Sequence, residues 1–89
     1  MMGYTTWRKE IIHAMQINKD TWDNIIACTL TDSDLNMSFD NGYGAIEGKP
    51  FTVWTKHYVY FPACYDGAEW VGSVPRDPNE EPTEHIGGG

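Results

Sequence analysis

The sequence predicts an α+β domain in which one or two N-terminal helices pack on a three- to four-stranded antiparallel sheet. Apolar residues recur at helical spacing near the start of the chain, as Trp7, Ile11, Ala14 and Met15. The second half holds three β-branched and aromatic runs, 51–55, 58–61 and 69–74. The joints between those runs are short, with Lys56-His57 in one and Asp66-Gly67 in the other, as an antiparallel meander requires.

The first helix is predicted over about 5–16, where Thr5 or Thr6 accepts a bond from the free amides of the first turn and Asn18-Lys19 breaks the pattern. A second is predicted over about 21–29, with Asp20 as N-cap and Asp23 near the positive end of the helix dipole. The run Ile25-Ile26-Ala27-Cys28-Thr29-Leu30 fits a buried strand as well, and periodicity does not separate the two over so short a length. Residues 35–40 alternate apolar and polar, which favours a half-buried strand, while a short helix over 32–39 is the competing reading. Asn41-Gly42 marks a turn, and Gly44 and Gly48 extend a loop to Pro50. The strands follow, the second ending near Pro62 and the third stopped by Pro75. Residues 1–75 make the domain, and 76–89, acidic with almost no apolar content, read as a flexible tail whose one anchor is Ile86.

A chain of 89 residues makes one small domain, burying roughly 60–65% of the surface its unfolded form exposes. That excludes a two-domain enzyme or a large cofactor fold. Thirteen acidic residues against six basic ones give a net charge of −7, which argues against direct binding to nucleic acid or to an anionic membrane. The charge is uneven: residues 20–47 carry six acids and no base, and 66–89 carry six acids and Arg76. The N-terminus has no apolar run of the signal-peptide kind, and no stretch is long and apolar enough to span a bilayer. Cys28 and Cys64 are too few for a disulfide framework; one bridge is geometrically possible, but the compartment favours two reduced, buried thiols of a cytoplasmic protein.

Catalytic and metal patterns are incomplete. Asp32, Asp34 and Asn36 match the first, third and fifth positions of a calcium loop, but Met37 stands at the sixth, where glycine is needed, and Tyr43 at the twelfth, where glutamate is needed. Cys28, His57, Cys64 and His85 lack zinc-ligand spacing. His57 and Cys64 are the one nucleophile–base pair to consider, and no cation or helix N-terminus flanks the thiol to lower its pKa. No cofactor, metal or catalytic residue is therefore expected.

Binding is the better-supported expectation. Asp20, Asp23, Asp32, Asp34 and Asp40, with Glu47 in the adjoining loop, fall on elements expected to be exposed. Carboxylates on a rigid scaffold can take the place of a nucleic-acid backbone in a cationic groove. Tyr43, Tyr65 and Trp70 supply aromatic anchors beside them, with Asp66 and Glu69 completing the candidate surface. The ordinary alternative is a solvated acidic face that keeps a small protein soluble. A different function class is a structural or assembly protein that self-associates through an aromatic sheet face or an exposed edge strand.

In size, charge and single-domain design the chain resembles the small acidic proteins with which phages disarm bacterial defences, of the anti-CRISPR and anti-restriction type. The strings Phe51-Thr52-Val53-Trp54-Thr55, Val59-Tyr60-Phe61-Pro62 and Tyr65-Asp66-Gly67-Ala68-Glu69-Trp70-Val71, then Val74-Pro75-Arg76, are similar to small phage or prophage proteins. The resemblance implies a non-enzymatic inhibitor in the bacterial cytoplasm. Such a DNA mimic would occupy the basic site of a nuclease or CRISPR effector complex, touching neither nucleic acid nor membrane directly. The alternative it leaves is a phage assembly accessory that forms homodimers.

Overall fold

The computed structural model describes residues 4–40, 48–65, 68–78, 82, 83, 85 and 86; the side chains of Asp40 and Tyr65 lie outside that description. The architecture is α+β: two helices pack on a four-stranded antiparallel sheet, beside a separate two-stranded one. The turn signals Asn41-Gly42 and Asp66-Gly67 fall outside the described residues.

The described residues begin with β1 (Tyr4–Thr6), which takes in the first residues of the helix predicted over about 5–16, and α1 runs Trp7–Asn18. Thr5 is drawn into a strand by pairing with Phe39, so Thr6 is the residue left to cap the helix, accepting from the Lys9 amide. Trp7, Ile11, Ala14 and Met15 are buried along one face, as their spacing predicts. Lys19 ends the helix in the left-handed region (φ 57°), and the Asp20 amide then donates to Met15 O at 2.8 Å.

The predicted second helix is corrected. Only a 3-10 turn, Trp22–Asn24, forms before β2 (Ile25–Cys28). Asp20 accepts from the Thr21 amide and Asn24 instead of capping a longer helix. The β-branched pair Ile25-Ile26 goes to the strand because β4 (Val53–Thr55) is there to receive it, with Ile26 as the extra residue of a bulge. Both readings of 32–39 are realised in part. A capping box between Thr31 and Asp34 starts α2 (Asp32–Asn36), and β3 (Ser38–Asp40) follows to pair with β1.

The four-stranded sheet has the order β2-β4-β5-β6, with β5 at Tyr58–Tyr65 and β6 at Ala68–Pro75. β5 passes through Pro62 instead of ending there. Pro62 faces Val71 on β6, and the side on which it lacks an N–H lies beyond the end of β4. Val53 and Tyr60 face each other across β4 and β5 and are buried with Trp7, Ile11, Met15, Leu35 and Phe39. The helices therefore cover this inner face.

Trp7 is the centre of the core. Its ring meets Phe39 and Phe51 at 4.7 and 4.8 Å between centroids, and its indole N–H donates to Lys49 O at 2.9 Å. The incoming loop passes so close that a Cβ on Gly48 would stand 2.5 Å from the indole and 2.6 Å from Glu69 Oε1. Gly48→Ala is expected to destabilise the protein by about 1–3 kcal/mol, measured by chemical denaturation, because the Trp7 indole is fixed in the core and the Glu69 carboxylate would be pushed off the Gly48 amide.

Candidate functional site

The acidic residues singled out from sequence do not share one surface. Asp20 is corrected from an exposed ligand to a buried one, with 7% of its surface accessible. Its Oδ2 accepts from Thr55 Oγ1 at 2.7 Å and from the Tyr60 hydroxyl at 2.9 Å, and its Oδ1 from Asn24 and the Thr21 amide, each at 2.9 Å. Burial acts to raise its pKa, but these hydrogen bonds outweigh it and hold the carboxyl below the ordinary range. Burial and the neighbouring Asp20 push the Tyr60 phenol well up, so it remains a donor.

Glu69 is likewise corrected: it is 4% exposed, faces inward, and accepts from the Gly48 amide at 3.0 Å. Asp34 closes the α2 capping box and meets Lys49 Nζ at 3.1 Å. The Thr31 bonds and Lys49 keep its carboxyl below the usual range. Asp32 is open to solvent, 3.6 Å from Arg8, a pair of little energetic weight. Asp23 is exposed. Tyr43, Glu47 and Asp66 lie outside the described residues, as do the side chains of Asp40 and Tyr65.

Chemical alternatives can be placed as well. His57 sits in the β4–β5 turn and Cys64 near the far end of β5, about 20 Å away along an extended strand, so they make no nucleophile–base pair. Both cysteines are free and half-buried. Among the described residues, no three His, Cys, Asp or Glu side chains are placed to hold a metal. No described helix is long and apolar enough to cross a membrane. A cleft of about 360 Å³ opens among Lys19, His57, Tyr58 and Asp77, which sequence reasoning missed because its walls meet only after folding. Of the two carboxylates in its lining, Asp77 is exposed and Asp20 is already occupied by its four donors.

The outer face of the sheet is the feature that stands apart. Strand alternation and register place Trp54, Val59, Phe61, Ala63, Trp70 and Val74 on the side away from the helices. No charged side chain stands among the described residues of β4, β5 and β6 at these outward positions. Trp54 and Val59 are direct cross-strand neighbours, as are Ala63 and Trp70. Phe61 faces Gly72 and lies over it, within 2.8 Å of where a Cβ would be, and Ile86 of the C-terminal segment approaches the same spot. The aromatic ring covers the bare backbone of the glycine, and an aliphatic side chain settles beside it. Trp70, alone among the described candidate anchors, belongs to this face, and Glu69 next to it points the opposite way.

No family model, no curated protein and no solved structure matches this chain.

Asp20→Asn is expected to cost about 2–3 kcal/mol in denaturant unfolding, because an amide NH₂ cannot accept from both hydroxyls that now meet Oδ2. The folded pKa of Asp20 is depressed, so its stabilisation is present above about pH 4 and is lost as pH falls through the folded value. Stability measured from pH 6 down to 2 should fall less steeply in Asp20→Asn than in the unaltered protein.

Proposed function

We propose that the chain is a non-enzymatic binding protein that docks on another protein through the outer face of its sheet. The carrying observation is the continuous apolar surface of Trp54, Val59, Phe61, Trp70 and Val74, turned away from both helices. A face of this composition gains free energy when water leaves it, and its tryptophans are the residue type that dominates interface energetics. Ile86 shows the chemistry of a fitting occupant: an aliphatic side chain on a chain segment that passes over Gly72. This belongs to the assembly class of function, with an apolar contact that salt does not dissolve.

A second reading is an acidic inhibitor of a nucleic-acid-handling host protein, such as a nuclease or a CRISPR effector complex. The net charge of −7 favours it, together with exposed Asp23, Asp32 and Asp77. Asp20 and Glu69 are withdrawn from such a surface by burial, which leaves fewer carboxylates to imitate a phosphate backbone.

One experiment separates the two. The tagged chain is used to capture partners from bacterial lysate, with low- and high-salt washes, beside Trp54→Lys/Val59→Lys and Asp23→Asn/Asp32→Asn variants. Sheet-face docking predicts a partner retained at high salt and lost from the Trp54/Val59 variant, with a loss of about 2 kcal/mol, roughly thirtyfold in Kd. Acidic mimicry predicts a partner released by salt and weakened by the Asp23/Asp32 variant. A partner held equally by all three proteins overturns both readings.

A further inference from the structure

We infer that β6 is a self-pairing edge, through which two copies of the chain join antiparallel into one eight-stranded sheet with Gly72 on the two-fold axis. This contact uses backbone groups at the sheet edge and stands whether or not the outer face binds a partner.

The hydrogen-bond phase of β6 follows from its ladder. The Arg76 amide donates to His57 O at 2.9 Å, one step beyond the Tyr58–Pro75 pair. Bonded and non-bonded pairs alternate in an antiparallel ladder. Residues 68, 70, 72 and 74 therefore turn their N–H and C=O toward β5, and Val71 and Ser73 turn theirs away from it. No described strand lies on that side, since β6 ends the strand order.

Edges of this kind normally carry a guard: a lysine, a proline, a bulge or very short length. β2, the opposite edge, has two of these, being four residues long and bulged at Ile26. β6 is eight residues long with unbroken register along β5. Its one charged residue, Glu69, is buried on the inner face, and its one proline, Pro75, closes its end.

The occupant that fits is a second copy, because residues 70–74 are self-complementary in antiparallel pairing. With Gly72 opposite Gly72 of the second copy, Val71 and Ser73 exchange N–H···O bonds with Ser73 and Val71 across the axis. Trp70 then faces Val74 of the second copy on the outer side, an aromatic–β-branched pair that stabilises adjacent strands. The reciprocal pair repeats it, as two-fold symmetry demands. The two outer faces become one surface.

Amide hydrogen exchange by NMR across a concentration series, alongside sedimentation equilibrium, tests this on the unmodified chain. The Val71 and Ser73 amides should exchange fast when dilute and slow as a dimer forms, while Gly72 and Val74 stay slow throughout. Val71→Pro removes an outward N–H and no β5–β6 ladder bond, so it should remain folded and lose the dimer. A monomer at all concentrations with fast Val71 and Ser73 exchange overturns the proposal. So does a dimer that leaves those two amides unprotected or survives Val71→Pro. Should Val71→Pro not fold, the exchange pattern of the unmodified chain decides alone.

Discussion

A carboxylate removed from water with no cation hydrogen-bonded to it must be met by hydrogen-bond donors, and Asp20 is met by four. Much of the fold follows from that requirement. Lys19 must take a left-handed turn so that the chain leaving α1 carries Asp20 beneath the helix end. Thr55, at the end of β4, and Tyr60, in the middle of β5, must both present hydroxyls to the same oxygen. Asn24 ties the 3-10 turn to the other oxygen, and Asn18 adds bonds from α1 to Tyr60 and Ser73. The buried charge thus sets the helix end, the turn and two strands in mutual register, and Asn18 adds a third strand through Ser73. An apolar residue of similar size would fill the space without specifying those directions.

The same requirement changes what the negative charge means. A net charge of −7 suggests a molecule covered in carboxylates. The fold instead assigns several of them internal work: Asp20 in the core, Glu69 on the Gly48 amide, Asp34 in a capping box. Hydrogen bonds hold the Asp20 and Asp34 carboxyls below the ordinary range, and burial turns Asp20 and Glu69 away from the surface. Among the described residues fewer carboxylates face water than the sequence suggests, and apolar character gathers on the outer side of the sheet.

That surface has an internal logic. α1, α2 and the loop at Gly48 all pack on the inner face, around Trp7. Strand alternation then forces every second residue of β4, β5 and β6 outward, and these residues are apolar. A sheet with polar residues outside would be complete by itself, whereas this one leaves Trp54 exposed and Val59, Trp70 and Val74 only half-buried. Gly72 is the one outward position on β6 with no side chain, and Phe61 and Ile86 both converge on it. Face and edge meet at this residue, which makes it the natural centre for contacts that involve either.

Much of the fold was legible in the sequence because local patterns and tertiary needs agree there. The helical spacing of Trp7, Ile11, Ala14 and Met15, and the β-branched runs of the second half, each encode a buried face at the correct period. What local pattern could not decide was pairing. Ile25–Cys28 is a strand because β4 lies alongside, and Tyr4–Thr6 is a strand because β3 returns to it. Strand formation depends on a partner remote in sequence, which no window of neighbouring residues contains. The candidate surface was less legible for the same reason. Burial of Asp20 and Glu69 follows from Tyr60, Thr55 and Gly48, which lie at least 21 residues away from the carboxylates they bind. Charge sign is a property of the sequence. Which charges face water is decided by the hydrogen-bond donors that the tertiary structure brings to them.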